Sequence, residues 1–148
     1  MLARLSEFLL GGTRGFNDAE RRLLSFVLEA LPPQDREILS RQIASVRKVQ
    51  RQHPGRLVAA YYRKQDDVPR LPYPGYAHCL ANVSYKARGR TRTTSLVLHD
   101  GRFMTFERNV PQGLVEIESL AKVVLHPAGF RSVAPEIDAE EHGAASDA

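Results

Sequence analysis

The spacing of apolar positions changes near residue 56, dividing a helical half of the chain from a stranded one. Asn17-Asp18-Ala19-Glu20 reads as a capping-box variant, in which Asn17 covers the free N–H groups of a first turn and Glu20 reaches back. Leu23, Leu24, Val27, Leu28 and Leu31 follow at the i, i+3/i+4 spacing of a helix with one buried face. Pro32-Pro33 ends that helix and opens the next, because proline is tolerated in a first turn. Ile38, Leu39, Ile43, Val46 and Val49 form the stripe of the second helix. That stripe predicts a helix to about Gln52, with Glu37 and Arg41 paired on its wet side and His53-Pro54-Gly55 as its stop. The two helices make an αα-hairpin. Before them, MLARLSEFLLGG predicts an amphipathic opening helix with Leu2, Leu5, Phe8 and Leu9 inward. Glu7 interrupts the apolar run and no small-x-small cleavage site follows, which argues against a secretory signal.

Beyond Arg56 the period becomes that of strands. Residues 57–63 (LVAAYYR) read as a strand with both faces partly apolar, and Pro69, Pro72, Pro74 and Gly75 make residues 64–75 a loop. From Tyr76 to Lys86 the chain alternates. Ala77, Cys79, Ala81, Val83 and Tyr85 point to the apolar side and His78, Asn82, Ser84 and Lys86 away from it, with Leu80 the exception. Arg88-Gly89-Arg90 turns the chain. Asp100-Gly101, flanked by β-branched and aromatic runs, is a hairpin turn that sets Leu98 opposite Phe103 and Val97 opposite Met104. Pro111-Gln112-Gly113 is a further turn. Between Leu114 and His126 the pattern is double: Ile117, Leu120 and Val124 fit a helix, whereas Lys122 to Leu125 fit a strand, and a strand near 121–126 is the preferred reading. The expected fold class is α+β, an N-terminal αα-hairpin packed on an antiparallel meander of about four to five strands.

Composition adds a division of charge. The 148 residues carry net +4, but residues 132–148 hold five acids and no Lys or Arg, leaving +9 on residues 1–131. One basic domain, 1–131, is therefore expected, followed by an acidic, Ala/Gly/Ser-rich tail, 132–148, with too little apolar content to order itself. Arg outnumbers Lys 17 to 4. That excess fits a GC-rich coding sequence as well as a need for bidentate anion contacts. No apolar run approaches the roughly 20 residues that span a bilayer, and the single Cys79 admits no internal disulfide. A cytoplasmic protein without membrane attachment is expected.

Little in the chain suggests catalysis. The five histidines show no HxH or HExxH spacing, and His78 and Cys79, adjacent on a strand, face opposite ways, so no metal or other cofactor is expected. Cys79 on an apolar strand face is an inert small hydrophobe, and no G-x-S-x-G elbow is present. Glu107, Glu116 and Glu118 have no spacing that marks an acid/base pair. Gly11 to Gly15 lacks the preceding strand and following Lys of a phosphate-binding loop.

What remains is a binding surface. Arg70, Leu71, Tyr73 and Tyr76 lie on the proline-stiffened loop and carry the residue types enriched at protein interfaces. Arg88, Arg90 and Arg92 alternate through one turn and project together if it stays extended. A non-enzymatic module of the bacterial accessory, adaptor or toxin-neutralising kind is expected, binding an acidic protein partner through both groups of residues. An exposed strand edge would permit a homodimer. The competing expectation is nucleic acid, with the same arginines on phosphates and tyrosines as stacking platforms, although no RNP strand, KH loop or zinc finger is present.

Overall fold

The computed structural model describes residues 12–52, 57–63, 67–73, 75–108 and 116–126. Among these, α1 (Asp18–Ala30) and α2 (Pro33–Ala44) precede β1 (Val46–Gln52), β2 (Leu57–Tyr62), β3 (His78–Ala87), β4 (Arg90–His99), β5 (Arg102–Arg108) and β6 (Ser119–Leu125). The strands form one antiparallel sheet in the order β1-β2-β5-β4-β3-β6. The α+β class, with a helix pair on an antiparallel sheet, is as expected, and the sheet has six strands where four or five were expected. The expected opening helix, the 111–113 turn and the acidic tail lie outside the described residues. Among the described residues no helix is long and apolar enough to cross a membrane.

The capping box forms as read: Asn17 Oδ1 accepts from the Glu20 backbone N–H and Glu20 Oε2 accepts from that of Asn17, both at 2.9 Å. It starts α1 in the register that points Leu23, Leu24 and Val27 at the sheet. These meet Leu39 of α2 and Val58, Val83, Leu96, Leu98, Phe103 and Phe106 from four strands. Phe16, just before α1, adds its ring to those of Phe103 and Phe106, with centroids 5.1–6.4 Å apart.

The second helix ends eight residues before the expected limit. Ser45 caps α2, and Val46–Gln52 is an edge strand rather than a continuation. The reason is a β-bulge between Val46 and Lys48. An extra residue in one strand shifts the side-chain parity, so two residues three apart can share a face. Val46 and Val49 both reach the core by this device, imitating helical spacing.

The same device corrects two other expectations. Cys79 pairs with Val97 and Ala81 with Leu96, so Leu80 is the extra residue of a bulge. Leu80 and Ala81 join the core beneath the helices, while Cys79 turns to the other face beside Asn82. In β5, Leu98 stands opposite Phe103 as expected, but Val97 faces Thr105 and Met104 is the extra residue. Phe103 and Phe106, three apart, thereby both enter the core. The 114–126 ambiguity resolves to the strand reading, β6 starting at Ser119, with a further register shift opposite Ser84 and Tyr85.

Candidate functional site

Three groups of polar side chains stand out, two at opposite ends of β4 and one on the face away from the helices. At one end is the hairpin turn Asp100-Gly101, with φ of 49° and 76°, the left-handed pair of a type I′ turn. The Pro-rich loop is fastened to it. Leu71 N–H donates to the Gly101 carbonyl at 2.8 Å, Arg70 Nη1 donates to the Asp100 carbonyl at 2.8 Å, and Asp100 N–H donates to that of Gly75 at 2.9 Å. Beneath them Gln42 of α2 is wholly buried. Its Nε2 donates to the carbonyls of Pro69 and Gly101, and its Oε1 accepts from Phe103 N–H.

This arrangement divides the four loop residues. Leu71 is buried in the core. Tyr73 donates to Asp35 of α2 at 2.8 Å and stacks on His78, and burial together with that carboxylate raises its pKa. Both are held against the fold. Arg70 stays exposed, and Tyr76 is 77% exposed, its ring edge-on to His99 at 4.7 Å. Gly75 and Ala77, on either side of Tyr76, both have positive φ, 112° and 56°. The backbone thus bends sharply around Tyr76 and lifts its ring clear.

At the other end of β4, about 30 Å away for a ten-residue strand, Arg88 and Gly89 form a second turn of the same kind, with φ of 50° and 70°. Arg90 stands opposite Ala87 and Arg92 opposite Tyr85, so both rise from the helix-side face while Arg88 occupies the turn itself. Arg90 and Arg88 are exposed and Arg92 is half-buried. The structure therefore keeps the Arg70–Tyr76 and Arg88–Arg92 groups apart. Among the described residues no exposed tyrosine stands beside these arginines either, for Tyr85, opposite Arg92, turns its ring inward. Tyr85 is buried with its hydroxyl on Thr94, and Tyr62 donates to the Phe103 carbonyl beneath the Arg102 guanidinium. Burial pushes the Tyr62 hydroxyl pKa upward, against the pull of Arg102.

The third group is a polar network on the sheet's other face. Cys79 Sγ approaches Asn82 Oδ1 at 3.4 Å, Ser95 Oγ donates to the same oxygen at 2.8 Å, and Asn82 Nδ2 lies 3.2 Å from His126 Nε2. Two strands across, Thr105 donates to Glu107. Burial pushes the thiol up to about 11, and it raises the Glu107 carboxyl as well, against the Thr105 hydrogen bond. A thiol so held is a poor nucleophile. At pH 8 about one Cys79 in a thousand is ionised, so a thiol reagent should label the folded protein about 100-fold more slowly than the unfolded chain. The labelling rate should climb with pH until about 11, because only the thiolate reacts. Rapid labelling at pH 8 would contradict this placement. Among the described residues, no three His, Cys, Asp or Glu side chains gather closely enough to hold a metal ion.

No protein-family model, curated protein or solved structure matches this chain. Gln42 had no signal in the sequence, being a polar residue on a helix face. The Arg88-x-Arg-x-Arg92 alternation was visible, and it does place Arg90 and Arg92 on one face.

Proposed function

We propose that this protein is a non-enzymatic binding module of the accessory, adaptor or toxin-neutralising type, docking an acidic protein partner through the end of the sheet that bears Arg70 and Tyr76. The observation that carries this reading is the presentation of Tyr76. It is a large aromatic ring left in solvent on a loop fastened by the bonds of Arg70, Leu71 and Gly75 and propped against His99. A ring already held in place loses little entropy on binding, which is why preorganised aromatics serve as interface anchors. The exposed arginines, including Arg88 and Arg90 at the far end, favour an acidic partner and would act mainly on the rate of encounter. A cytoplasmic setting accords with one buried, unpaired cysteine.

The test is affinity capture from a lysate of the native cell, with and without nuclease, using wild type and Tyr76→Ala. Capture should survive nuclease, and Tyr76→Ala should weaken it by about 2 kcal/mol, roughly 30-fold. The thermal midpoint should not move, since so exposed a ring contributes little burial. Capture lost to nuclease, with affinity falling steeply with salt, would replace this reading with the nucleic-acid one. Undiminished capture by Tyr76→Ala would remove the loop from the interface.

A further inference from the structure

We infer that Arg92 and Arg108 form a binding site for a phosphate group at the Arg88–Gly89 end of the sheet, separate from the Tyr76 surface. Arg108 stands opposite Thr94, and Arg92 lies two residues from Thr94 on the same strand, so the two arginines are diagonal neighbours on one face of adjacent strands. The Nε of Arg92 and both Nε and Nη2 of Arg108 are out of solvent, and among the described residues none has a hydrogen-bond partner. Buried polar groups are nearly always paired, so such donors call for an explanation, a bound ion among them.

Arg51 supplies the comparison within the same molecule. Its Nε and Nη2 grip the two oxygens of Glu20 at 2.8 Å each. Those two N–H groups form one edge of the guanidinium fork, the edge that matches the spacing of two oxygens on a carboxylate or phosphate. In Arg108 the same edge meets no acceptor among the described residues. Two acids at this end of the sheet are turned elsewhere: Glu107, next in sequence, lies on the opposite face with Ser95, and Glu118 accepts from the Gly89 backbone N–H. Two arginines on one face of neighbouring strands suit a doubly charged oxyanion better than a single carboxylate. Arg88 and Arg90 on the adjoining turn add attraction at longer range. Both Arg92 and Arg108 are half-buried although these nitrogens are covered, so a small shift of either side chain would open its bare edge to an ion.

The experiment is a titration of the full chain, followed by NMR at the arginine Nε–H groups and backbone amides, with inorganic phosphate, O-phosphoserine and acetate in low-salt buffer. Phosphate should give saturable shifts at Arg92, Thr94 and Arg108, with acetate at least about tenfold weaker. Binding of phosphoserine as tight as that of phosphate, or tighter, would identify a phosphorylated side chain as the natural source. Binding of free phosphate alone would identify the ion itself. Arg108→Lys, which keeps the charge and loses the fork, should weaken phosphate by about tenfold or more, and Arg88→Ala by no more than about threefold. In phosphate-free buffer Arg108→Met should raise the thermal midpoint, because it removes an unpaired buried charge, and it should abolish the saturable shifts. The proposal is overturned by shifts that stay linear in phosphate, by a loss in Arg88→Ala equal to that in Arg108→Lys, or by an Arg108→Met protein that is less stable or fails to fold. The last result would show that the guanidinium is already paired by the chain.

Discussion

Gly101→Ala should lower stability by about 3 kcal/mol or more, whereas Gly89→Ala, at a turn of the same type, should cost about 1 kcal/mol. The backbone requirement is shared, since φ is 76° at Gly101 and 70° at Gly89, in the left-handed region where a Cβ is unfavourable. The surroundings differ. A Cβ at Gly89 would meet nothing within 4 Å, but at Gly101 it would fall 2.3 Å from the Leu71 carbonyl oxygen, a backbone atom that cannot swing aside. Relief would require the Pro-rich loop to lift, breaking the Leu71–Gly101 hydrogen bond and disturbing the Gln42 bonds to Pro69 and Gly101. Urea denaturation of both variants measures the difference. Equal losses would mean that the loop is not seated against the turn.

Arg51→Met should be as damaging, at about 3–5 kcal/mol, because it leaves a charged carboxylate stranded in the interior. Glu20 is fully buried. It is held by two bonds from Arg51 and one from the Asn17 backbone, while Arg51 Nη1 also donates to Thr13. The pair therefore joins the start of α1 to edge strand β1, next to the point where Thr13 and Val49 exchange two backbone hydrogen bonds. The double variant Glu20→Met/Arg51→Met should recover much of the loss, since replacing both partners by apolar groups removes the stranded charge. Thermal melts of the two single variants and the double variant form a cycle. Losses that simply add would show that the two side chains do not depend on each other.

Both predictions concern residues whose types were legible and whose partners were not. Gly101 read as part of a tight turn, and the turn is there. That the loop carrying Leu71 presses on it is a contact across thirty residues, which no local pattern encodes. Glu20 read as a capping residue and does cap α1. Its second task depends on Arg51 lying in a strand, and the apolar spacing around Arg51 pointed to a helix.

The candidate site divides in the same way. Tyr and Arg in a proline-rich loop marked an exposed segment correctly for Arg70 and Tyr76. Leu71 and Tyr73 instead turn inward, Leu71 into the apolar core and Tyr73 onto the Asp35 carboxylate of α2. The turn arginines were visible as an alternation. Arg108, which shares their face, enters only through the pairing of β5 with β4.

Local chemistry was enough for the features that act within a few residues: the capped start of α1, the proline break before α2, the two left-handed turns, and the α+β division of the chain. Those steps depend on backbone torsion and on hydrogen bonds to near neighbours, which residue type governs directly. Strand order, the bulges at Arg47, Leu80 and Met104, and the face each side chain occupies were decided by the folded sheet. A bulge moves every later residue to the other face, and whether it forms depends on how a neighbouring strand, distant in sequence, fills the core.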